Sequence, residues 1–397
     1  MGEIKNSKID CIDYFLVYMI IALSGFEFFF RAVWMLYFIV GPIAAYAFFI
    51  RKREISKPFL FFNLLFILWS AFQIAYNLST ASALFNFYLK FLVYYFTVCA
   101  INNLCKTFVK VMYHICCISL FFYLITLIEP LKETLVNTFS FIKPLGGGID
   151  EDITSNPGQS LIIYFIPFKN TLRNSGPFWE PGMFSVFINI GLAISTLANS
   201  SSRNLDKMTK LFVITSFTTL STSGYIATFF VLIYYYAIIR RQVKSILYIG
   251  LLIVPFIIFI NSDFGAEKII DASQNDASHS RFGAIAYHIS LMRNNPFTGI
   301  GFHSDTDFGL EVSPNGLSLI FLFWGIPAAI VYYILLFKST KMLITNLNDV
   351  VFSIKNVLLV YLVLLLVAFS QDITQRHFYY MLMIYFTKTD TKQMILR

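Results

Sequence analysis

The sequence predicts an all-α, polytopic integral membrane protein with about twelve transmembrane helices, in which residues 1–397 form a single membrane domain. Hydrophobic residues make up 57% of the chain and charged residues only 13%, whereas an average soluble domain carries about a quarter charged residues. Several stretches without Asp, Glu, Lys or Arg reach the roughly 20 residues that a bilayer crossing requires. Examples are residues 32–50, 181–202, 211–239 and 312–337.

Basic connectors indicate how these helices are oriented. We predict spans near residues 14–30, 32–50, 58–76, 81–100, 108–128, 181–198, 208–221, 224–239, 245–260, 316–337, 351–369 and 377–387. The connector "RKREISK" (51–57) is strongly basic and belongs in the cytoplasm, which places the N-terminus there. Twelve crossings also put Lys106, Arg240 and Lys338 inside, and the C-terminus with them. The net charge of +8 therefore reflects topology rather than nucleic-acid binding.

Residues 208–239 could form one long helix, but the segments on both sides are basic and should both be cytoplasmic. The chain must then cross twice in this region. This makes "STSG" (221–224) a tight outer turn between two short helices, whose freed backbone groups must be buried by protein.

Two long loops, residues 129–180 and 261–315, face outward and are where we expect function. The first ends in "RNSGPFWEPG", in which Gly176-Pro177 bends the chain between Arg173 and Glu180. Pro181 suits the first turn of a helix, so Glu180 lies at a helix N-terminus, where a carboxylate is favoured. Helix capping alone also explains Glu180, and anchoring to lipid headgroups also explains Arg173.

The second loop contains "SHSRFGAIAYHISLMRNNPFTGIGF" (278–302), which predicts an amphipathic helix over 280–293 with Ser280 as N-cap. Its apolar stripe is formed at helical spacing by Phe282, Ile285, Ala286, Ile289 and Met292. Arg281 and His288 share a different face. An interfacial helix lying on the outer leaflet is the alternative interpretation.

An arginine in each outer loop, beside a membrane span, suits an anionic lipid headgroup and above all a pyrophosphate. Guanidinium binds phosphate through two parallel hydrogen bonds, and each charge-assisted bond contributes about 1.5–3 kcal/mol. Two arginines that bind a leaving pyrophosphate lower the free-energy barrier to glycan transfer. We expect no metal ion and no cofactor, although "DTD" (305–307) is a pair of carboxylates beside a span.

Four segments in this order resemble the O-antigen polymerase and ligase superfamily, the Wzy-type enzymes of bacterial polysaccharide synthesis. They are "LRNSGPFWEPGMFSVFI", "LSTSGYIATFF", "SRFGAIAYHISLMRNNPFTGIGF" and "PNGLSLIFLFWGIPAAI", which together cover about residues 171–331. They are similar to an R-x-x-G…E-P segment that enters a helix, a Ser/Thr-rich turn, an Arg-led helix with an N-P-x-x-G-x-G turn, and the start of the next span.

The resemblance implies a GT-C-like, metal-independent glycosyltransferase in the bacterial inner membrane, which transfers a glycan from undecaprenyl pyrophosphate at the periplasmic face. It implies that Arg173 and Arg281 hold the pyrophosphate and that transfer inverts the sugar by direct displacement. A chain-length regulator protein is the partner that it implies. A base should assist the acceptor hydroxyl, and Glu180 is the first candidate and His303 the second.

Two departures from the family refine this expectation. Ligases carry a histidine where Pro314 stands, although the following Asn315 is kept and is assigned to acceptor binding. This favours a polymerase that joins carrier-linked repeat units. The Ser/Thr turn also lacks the arginine of many members, so Arg293 or His288 is expected to complete the anion site.

Two alternatives stay open at this point. The nearer one is the ligase that transfers finished polymer to lipid A core. The other is a transporter or flippase for lipid-linked oligosaccharide, which usually places polar residues at the bilayer midplane. Lys90 is the charge that lies clearly inside a predicted span, and such charges are candidates for function. Polar residues gather instead in the outer loops, which favours chemistry at the surface.

Overall fold

A computed structural model describes residues 10–29, 32–76, 78–145, 158–168, 172–198, 206–239, 250, 281–302, 315–347 and 353–388, without the side chains of 281 and 282. The helices are α1 (Cys11–Gly25), α2 (Gly41–Ile50), α3 (Lys57–Ala75), α4 (Ala81–Ala100), α5 (Leu104–Thr126), α6 (Glu129–Phe139), α7 (Pro181–Ala198), α8 (Lys207–Thr218), α9 (Thr222–Tyr234), α10 (Arg281–Met292), α11 (Gly316–Thr345), α12 (Ile354–Ser370) and α13 (His377–Met383). Among the described residues, six helices are long and apolar enough to cross a membrane: α3, α4, α5, α7, α11, and α9 with its extension to Ile239.

Short polar side chains set the starts of many helices, because they accept hydrogen bonds from backbone N–H groups that the helix leaves without a partner. The capping residues are Asp10, Ser56, Thr80, Asn103, Asp206, Ser221, Asn315 and Ser353. Proline occupies the first turn of α3 and of α6, where its missing N–H costs no hydrogen bond. The helix starts are therefore determined by residues at or next to each helix N-terminus.

Helix α7 is the centre of the bundle, and every residue from Pro181 to Leu197 is buried. A helix that is apolar on all sides belongs in such a position. Its buried polar residue Asn189 donates to the carbonyls of Ser185 (2.8 Å) and Gly224 (3.2 Å) and accepts from the hydroxyl of Thr228 (2.9 Å). These bonds attach the start of α9 to the middle of α7.

One end of the bundle, here called the basic end, carries Arg51, Arg53 and Lys388. Arg51 binds the carboxylate of Asp13 (2.5 Å) and the backbone carbonyl of Ala100. Arg53 donates to Asn102 Oδ1 (3.0 Å), and Lys388 donates to the carbonyl of Ile101. The first residues of α1 and the last residues of α2, α4 and the α13 segment therefore meet at the basic end.

The opposite end is called the loop end. Phe26, which follows α1, forms a β-bridge with Phe178, which precedes α7. The backbone N–H of Asn174 donates to the carbonyl of Thr218, at the end of α8 (2.9 Å). Thr374, between α12 and α13, donates to the carbonyl of Gly316, at the start of α11 (2.6 Å). The described helices that pass through the bundle thus run alternately between its two ends.

Helices α8 and α9 form a hairpin whose turn lies at the loop end. Leu220 adopts a left-handed conformation (φ 46°), and Ser221 caps α9 by accepting from Gly224 N. Across the hairpin, the hydroxyls of Ser216 and Thr228 lie 2.7 Å apart. The predicted break between two short helices at "STSG" is confirmed.

Helix α11 is broken inside its span. Gly325 has φ 79°, a conformation that favours glycine, and Pro327 follows it. The segment 296–301 compensates for the break, because Ile300 N donates to Leu322 O (2.8 Å) and Ile326 N donates to Pro296 O (2.9 Å). The "NPFTGIG" turn is therefore part of the structure that holds α11 in its broken form, as buried non-helical backbone must be held.

The two long loops, residues 129–180 and 261–315, contain elements that sequence reasoning missed. Helix α6 and an antiparallel hairpin, β1 (Gly158–Ser160) and β2 (Phe165–Pro167), lie within the loop 129–180. Helix α10 lies within the predicted amphipathic helix 280–293. Its buried residues are Ala284 and His288, whereas Ile289 of the predicted stripe is 58% exposed. The predicted span 245–260, apart from residue 250, lies outside the described residues.

The paired charges at the basic end should contribute strongly to stability. The Asp13 side chain is 3% exposed and accepts from both Arg51 and Asn102 N (3.0 Å). We expect Asp13→Asn to lower the free energy of unfolding by about 3 kcal/mol, since it leaves a largely buried guanidinium with a weaker partner. Denaturant unfolding of the purified protein in micelles measures this effect.

Asp10→Asn is the matched control for that measurement. Asp10 also pairs with Arg51 (2.7 Å), but its side chain is 46% exposed, and exposed pairs contribute less than about 1 kcal/mol. Asparagine also preserves the N-cap of α1. Equal losses from the two variants would contradict the buried-pair interpretation.

Candidate functional site

The site is built on the start of α7 at the loop end. Glu180 precedes Pro181, and its backbone carbonyl accepts from Phe184 N (3.2 Å), so Glu180 occupies the N-terminal position that the sequence predicts. Phe178 is fully buried and stacks on Phe184, with ring centroids 5.4 Å apart. This packing fixes the direction in which the chain enters the helix.

The residue after Arg173 anchors that arginine at the site. Asn174 is fully buried; its Nδ2 donates to Thr218 Oγ1 (2.9 Å), and its Oδ1 accepts from Ser119 Oγ (2.7 Å) and Gly176 N (2.9 Å). Gly176 has φ 55°, and a Cβ there would stand 2.9 Å from the Phe184 ring. The bend that the sequence predicts between Arg173 and Glu180 therefore depends on glycine.

The guanidinium of Arg173 lies in a partly buried and electrostatically complementary environment. Burial lowers the pKa of Arg173, whereas the carboxylate of Glu180 and the hydroxyl of Tyr225 act in the opposite direction. An arginine nevertheless stays charged in a protein. The structure thus brings Arg173 close to Glu180, and adds Tyr225 from the start of α9.

A second arginine, which sequence reasoning missed, reaches the same place from the loop between α12 and α13. The guanidinium of Arg376 lies 5.1 Å from the centroid of the Trp179 ring, a cation–π distance. Arg376 Nη2 also binds Asp372 Oδ2 (3.1 Å). Burial raises the pKa of Asp372, and the charge of Arg376 acts in the opposite direction. Trp179 is adjacent to Glu180, so this segment interacts with Arg376 through Trp179 and with Arg173 through Glu180.

Gln371, at the start of that loop, also reaches the start of α7. A Cβ on Gly182 would stand 2.3 Å from Gln371 Nε2 and 3.4 Å from Glu180 Oε1. Glycine at this position lets the amide and the carboxylate lie over the first turn of α7. The loop 371–376 therefore contributes an amide, a carboxylate and a guanidinium to the site.

Asn315 caps α11 beside this loop and is fully buried. Its Oδ1 accepts from Ser318 N (3.1 Å). The next residue, Gly316, accepts from Thr374, so the start of α11 is attached to the loop 371–376. Capping accounts for the position of Asn315, and its predicted role in acceptor binding stays a prediction.

His288 belongs to α10, and its side chain is buried against α11, with 2% of the residue exposed. Its Nδ1 is 2.7 Å from Ser318 Oγ, and burial lowers the pKa of His288 to about 4. The imidazole is therefore neutral at physiological pH. A role for His288 in binding pyrophosphate would use a hydrogen bond rather than a positive charge.

The other predicted site residues are placed less closely. Arg281 begins α10, but its side chain lies outside the described part of the structure. His303 lies outside the described residues altogether. Arg293 is exposed beyond the end of α10. The roles predicted for these three residues stay predictions.

Lys90 lies inside the bundle, near the loop 371–376. Its ammonium is 5.2 Å from the centroid of the Phe87 ring. One helical turn further, Tyr94 Oη lies 2.6 Å from Nδ1 of His377, the residue after Arg376. The charges of Lys90 and Arg376 both act on the His377 ring. Lys90 therefore adds to the positive potential on this side of the site.

The site brings two guanidinium groups, of Arg173 and Arg376, and two carboxylates, of Glu180 and Asp372, to one end of an apolar bundle. Within the described ranges, no group of three or more His, Cys, Asp or Glu residues could hold a metal ion, and residues 305–307 lie outside those ranges. Comparisons with protein-family models, curated proteins and solved structures gave no match for this chain. The function must therefore be inferred from the residues of the chain itself.

The environment of His288 predicts a pH effect on stability. Unfolded His288 takes up a proton near its ordinary pKa of about 6.5, whereas the folded form resists protonation down to about pH 4. Stability contributed by the neutral imidazole is thus lost as the pH falls from 6.5 to 4, by about 2 kcal/mol between pH 7 and pH 5. Unfolding curves at these two pH values measure the loss.

His288→Gln supplies the comparison, because glutamine cannot titrate in this range. The variant should be less stable than the wild type at pH 7 yet lose less stability on acidification. A variant with the same pH slope as the wild type would show that other groups are responsible.

Proposed function

We propose that this protein is a metal-independent glycosyltransferase that joins oligosaccharide repeat units carried on undecaprenyl pyrophosphate, as an O-antigen or related surface-polysaccharide polymerase. The specific family in this proposal comes from the resemblance of four ordered segments in residues 171–331. The structural support is that two arginines interact with the Trp179–Glu180 segment, Arg173 with Glu180 and Arg376 with Trp179. That arrangement is the single observation on which the chemistry depends.

Two arginines fit the charge that develops during such a transfer. When the anomeric carbon separates from the carrier, negative charge collects on the pyrophosphate oxygens. Guanidinium groups match those oxygens in geometry and charge, and they act more strongly in a site with little water. Asn174 holds the backbone next to Arg173, and Asp372 and Trp179 orient the guanidinium of Arg376. The guanidinium of Arg376 is therefore positioned before substrate binds.

In the proposed reaction, the acceptor sugar hydroxyl attacks the anomeric carbon of the donor glycan. The bond from that carbon to the pyrophosphate oxygen breaks, and carrier pyrophosphate leaves with the electron pair. The hydroxyl proton passes to a base, and Glu180, whose carboxylate interacts with Arg173, is the candidate for this role. A single displacement of this kind inverts the configuration of the donor sugar.

The proposed topology places the site at the periplasmic face of the bacterial inner membrane. Arg51, Arg53 and Lys388 gather at the basic end, which the positive-inside rule assigns to the cytoplasm. The loop end then faces the periplasm, with twelve crossings of a GT-C-like bundle and both termini inside. Carrier-linked repeats and a chain-length regulator would meet the protein on the periplasmic side.

We expect Arg173→Ala and Arg376→Ala each to reduce polymer formation at least about 100-fold. Each substitution removes a positive charge that would stabilise the departing pyrophosphate. Arg281→Ala should do the same. The measurement is extension of a defined undecaprenyl-pyrophosphate-linked repeat by the purified protein, with products separated by length. Lys143→Ala is the matched control, because Lys143 is an exposed basic residue elsewhere in the same long loop.

The same assay discriminates among functions. Full activity of both the Arg173 and Arg376 variants would remove the pyrophosphate site from the proposal. Transfer of polymer to lipid A core without extension of repeats would identify a ligase. Movement of the lipid-linked repeat across a vesicle bilayer without any new glycosidic bond would identify a transporter.

Glu180→Gln tests the base separately from the helix cap. Glutamine preserves the backbone carbonyl that accepts from Phe184 N, so the start of α7 should form in the variant, and an unfolding curve checks that it folds. Loss of a general base should lower the rate about 100-fold or more. An unchanged rate would exclude Glu180 as the base and direct the search to His303.

A further inference from the structure

A cavity of about 540 Å³ lies on the side of the bundle between α3 and α11, and its lining is almost entirely aliphatic and aromatic. Several lining residues also face outward: Phe61 is 63% exposed and Val331 is 46% exposed. The cavity is thus bounded by side chains that, in the proposed membrane setting, contact lipid. It lies apart from the arginines of the candidate site, because none of them lines it.

The cavity is as deep as one leaflet of a bilayer. Its wall on α3 extends from Pro58 to Trp69, and its wall on α11 extends from Pro327 to Lys338. Each wall has a rise of about 16 Å at 1.5 Å per residue. The hydrocarbon core of a bilayer is about 30 Å thick. A chain that fills this cavity therefore occupies about half the membrane.

The charged residue of the lining lies toward the basic end. Lys338 is one residue before Ser339, whose hydroxyl accepts from Phe386 N (2.8 Å). Pro58, in the opposite wall, follows Lys57 at the start of α3, a few residues after Arg51 and Arg53. At the other end, the Trp324 ring lies 6.0 Å from the Phe66 ring. The cavity therefore has a positive charge at the end that lies toward the basic end of the bundle, and aromatic rings at its opposite end.

The shape of the cavity depends on the break in α11. The Pro327–Lys338 wall begins two residues after Gly325, whose φ of 79° redirects the helix. Segment 296–301 holds that break by hydrogen bonds to both sides of Gly325. The cavity is therefore part of the folded architecture and does not depend on the conformation of one side chain.

We propose that this cavity binds an anionic phospholipid from the leaflet at the basic end, with an acyl chain between α3 and α11 and the headgroup phosphate at Lys338. An apolar space of this size does not hold ordered water, and in a bilayer its available occupant is a lipid chain. A lysine at the headgroup level favours a negatively charged lipid.

The carrier lipid of the proposed reaction fits this cavity less well than a phospholipid. Its pyrophosphate would lie at the loop end with Arg173 and Arg376, whereas the lysine of the cavity lies toward the basic end. The cavity also reaches through only one leaflet, which matches an acyl chain better than a polyprenyl chain. This inference stands independently of the proposed transferase activity.

The experiment is native mass spectrometry of the purified, delipidated full-length protein, with added phosphatidylglycerol or phosphatidylcholine of identical acyl chains. We expect the wild type to retain one phosphatidylglycerol about fivefold more tightly than phosphatidylcholine, from the contribution of one lysine. Lys338→Gln should remove this preference. Val331→Trp should reduce retention of both lipids by filling the cavity.

Two matched variants control for general effects. Lys341→Gln removes a lysine one turn beyond Lys338 in α11. Ile330→Trp enlarges an exposed residue next to Val331. Neither Lys341 nor Ile330 lines this cavity. Both variants should bind like the wild type. Equal retention of the two lipids by the wild type, or undiminished binding by Val331→Trp, overturns the proposal. Displacement of phosphatidylglycerol by undecaprenyl pyrophosphate assigns the cavity to the carrier and overturns it as well.

Discussion

The burial of α7 is the constraint on which the rest of the structure depends. Its residues from Pro181 to Leu197 contact only protein, so each polar group on it must find a protein partner. Asn189 meets this requirement by bonding to the start of α9. The α8–α9 hairpin is thereby fixed beside α7, and its end at Thr218 in turn holds the Asn174 backbone next to Arg173.

The cationic side chains at the two ends of the bundle have different partners. At the basic end, Arg51 is neutralised by Asp10 and Asp13, and the remaining cations bind backbone and amide oxygens of residues 101–102. Those contacts tie helix ends together. At the loop end, Arg376 pairs with Asp372 and lies over Trp179, and Arg173 interacts with Glu180. The first arrangement stabilises the fold, and the second places two guanidinium groups near the start of α7, where the proposed anionic ligand would bind.

Helix positions were largely predictable, because apolar runs, N-caps and prolines are local signals. The spans at 81–100 and 181–198 agree with α4 and α7 to the residue, and the break at "STSG" was found from the charges on both sides. Helix α6 and the β1–β2 hairpin were missed. They are short and lie in a polar loop, where periodicity carries little information.

In the candidate site, sequence reasoning found Arg173 and Glu180 because they are neighbours in one unusual segment. It missed Arg376, Asp372 and Gln371, which lie almost 200 residues further along the chain. "QDITQR" (371–376) follows a long apolar run and looks like an ordinary connector. Two charged residues close together between two predicted spans could have marked this connector as a candidate. The sequence does not indicate that the connector contacts the segment before α7.

The sequence by itself determined the apolar helical class, most helix boundaries and the position of Glu180 at a helix start, because hydropathy, capping and proline act within a few residues. Only the tertiary structure decided that Arg376 lies over Trp179 beside Glu180, that His288 is buried against Ser318, and that the broken α11 leaves a cavity beside α3. Those outcomes depend on how helices pack, and packing joins residues that are far apart in the chain.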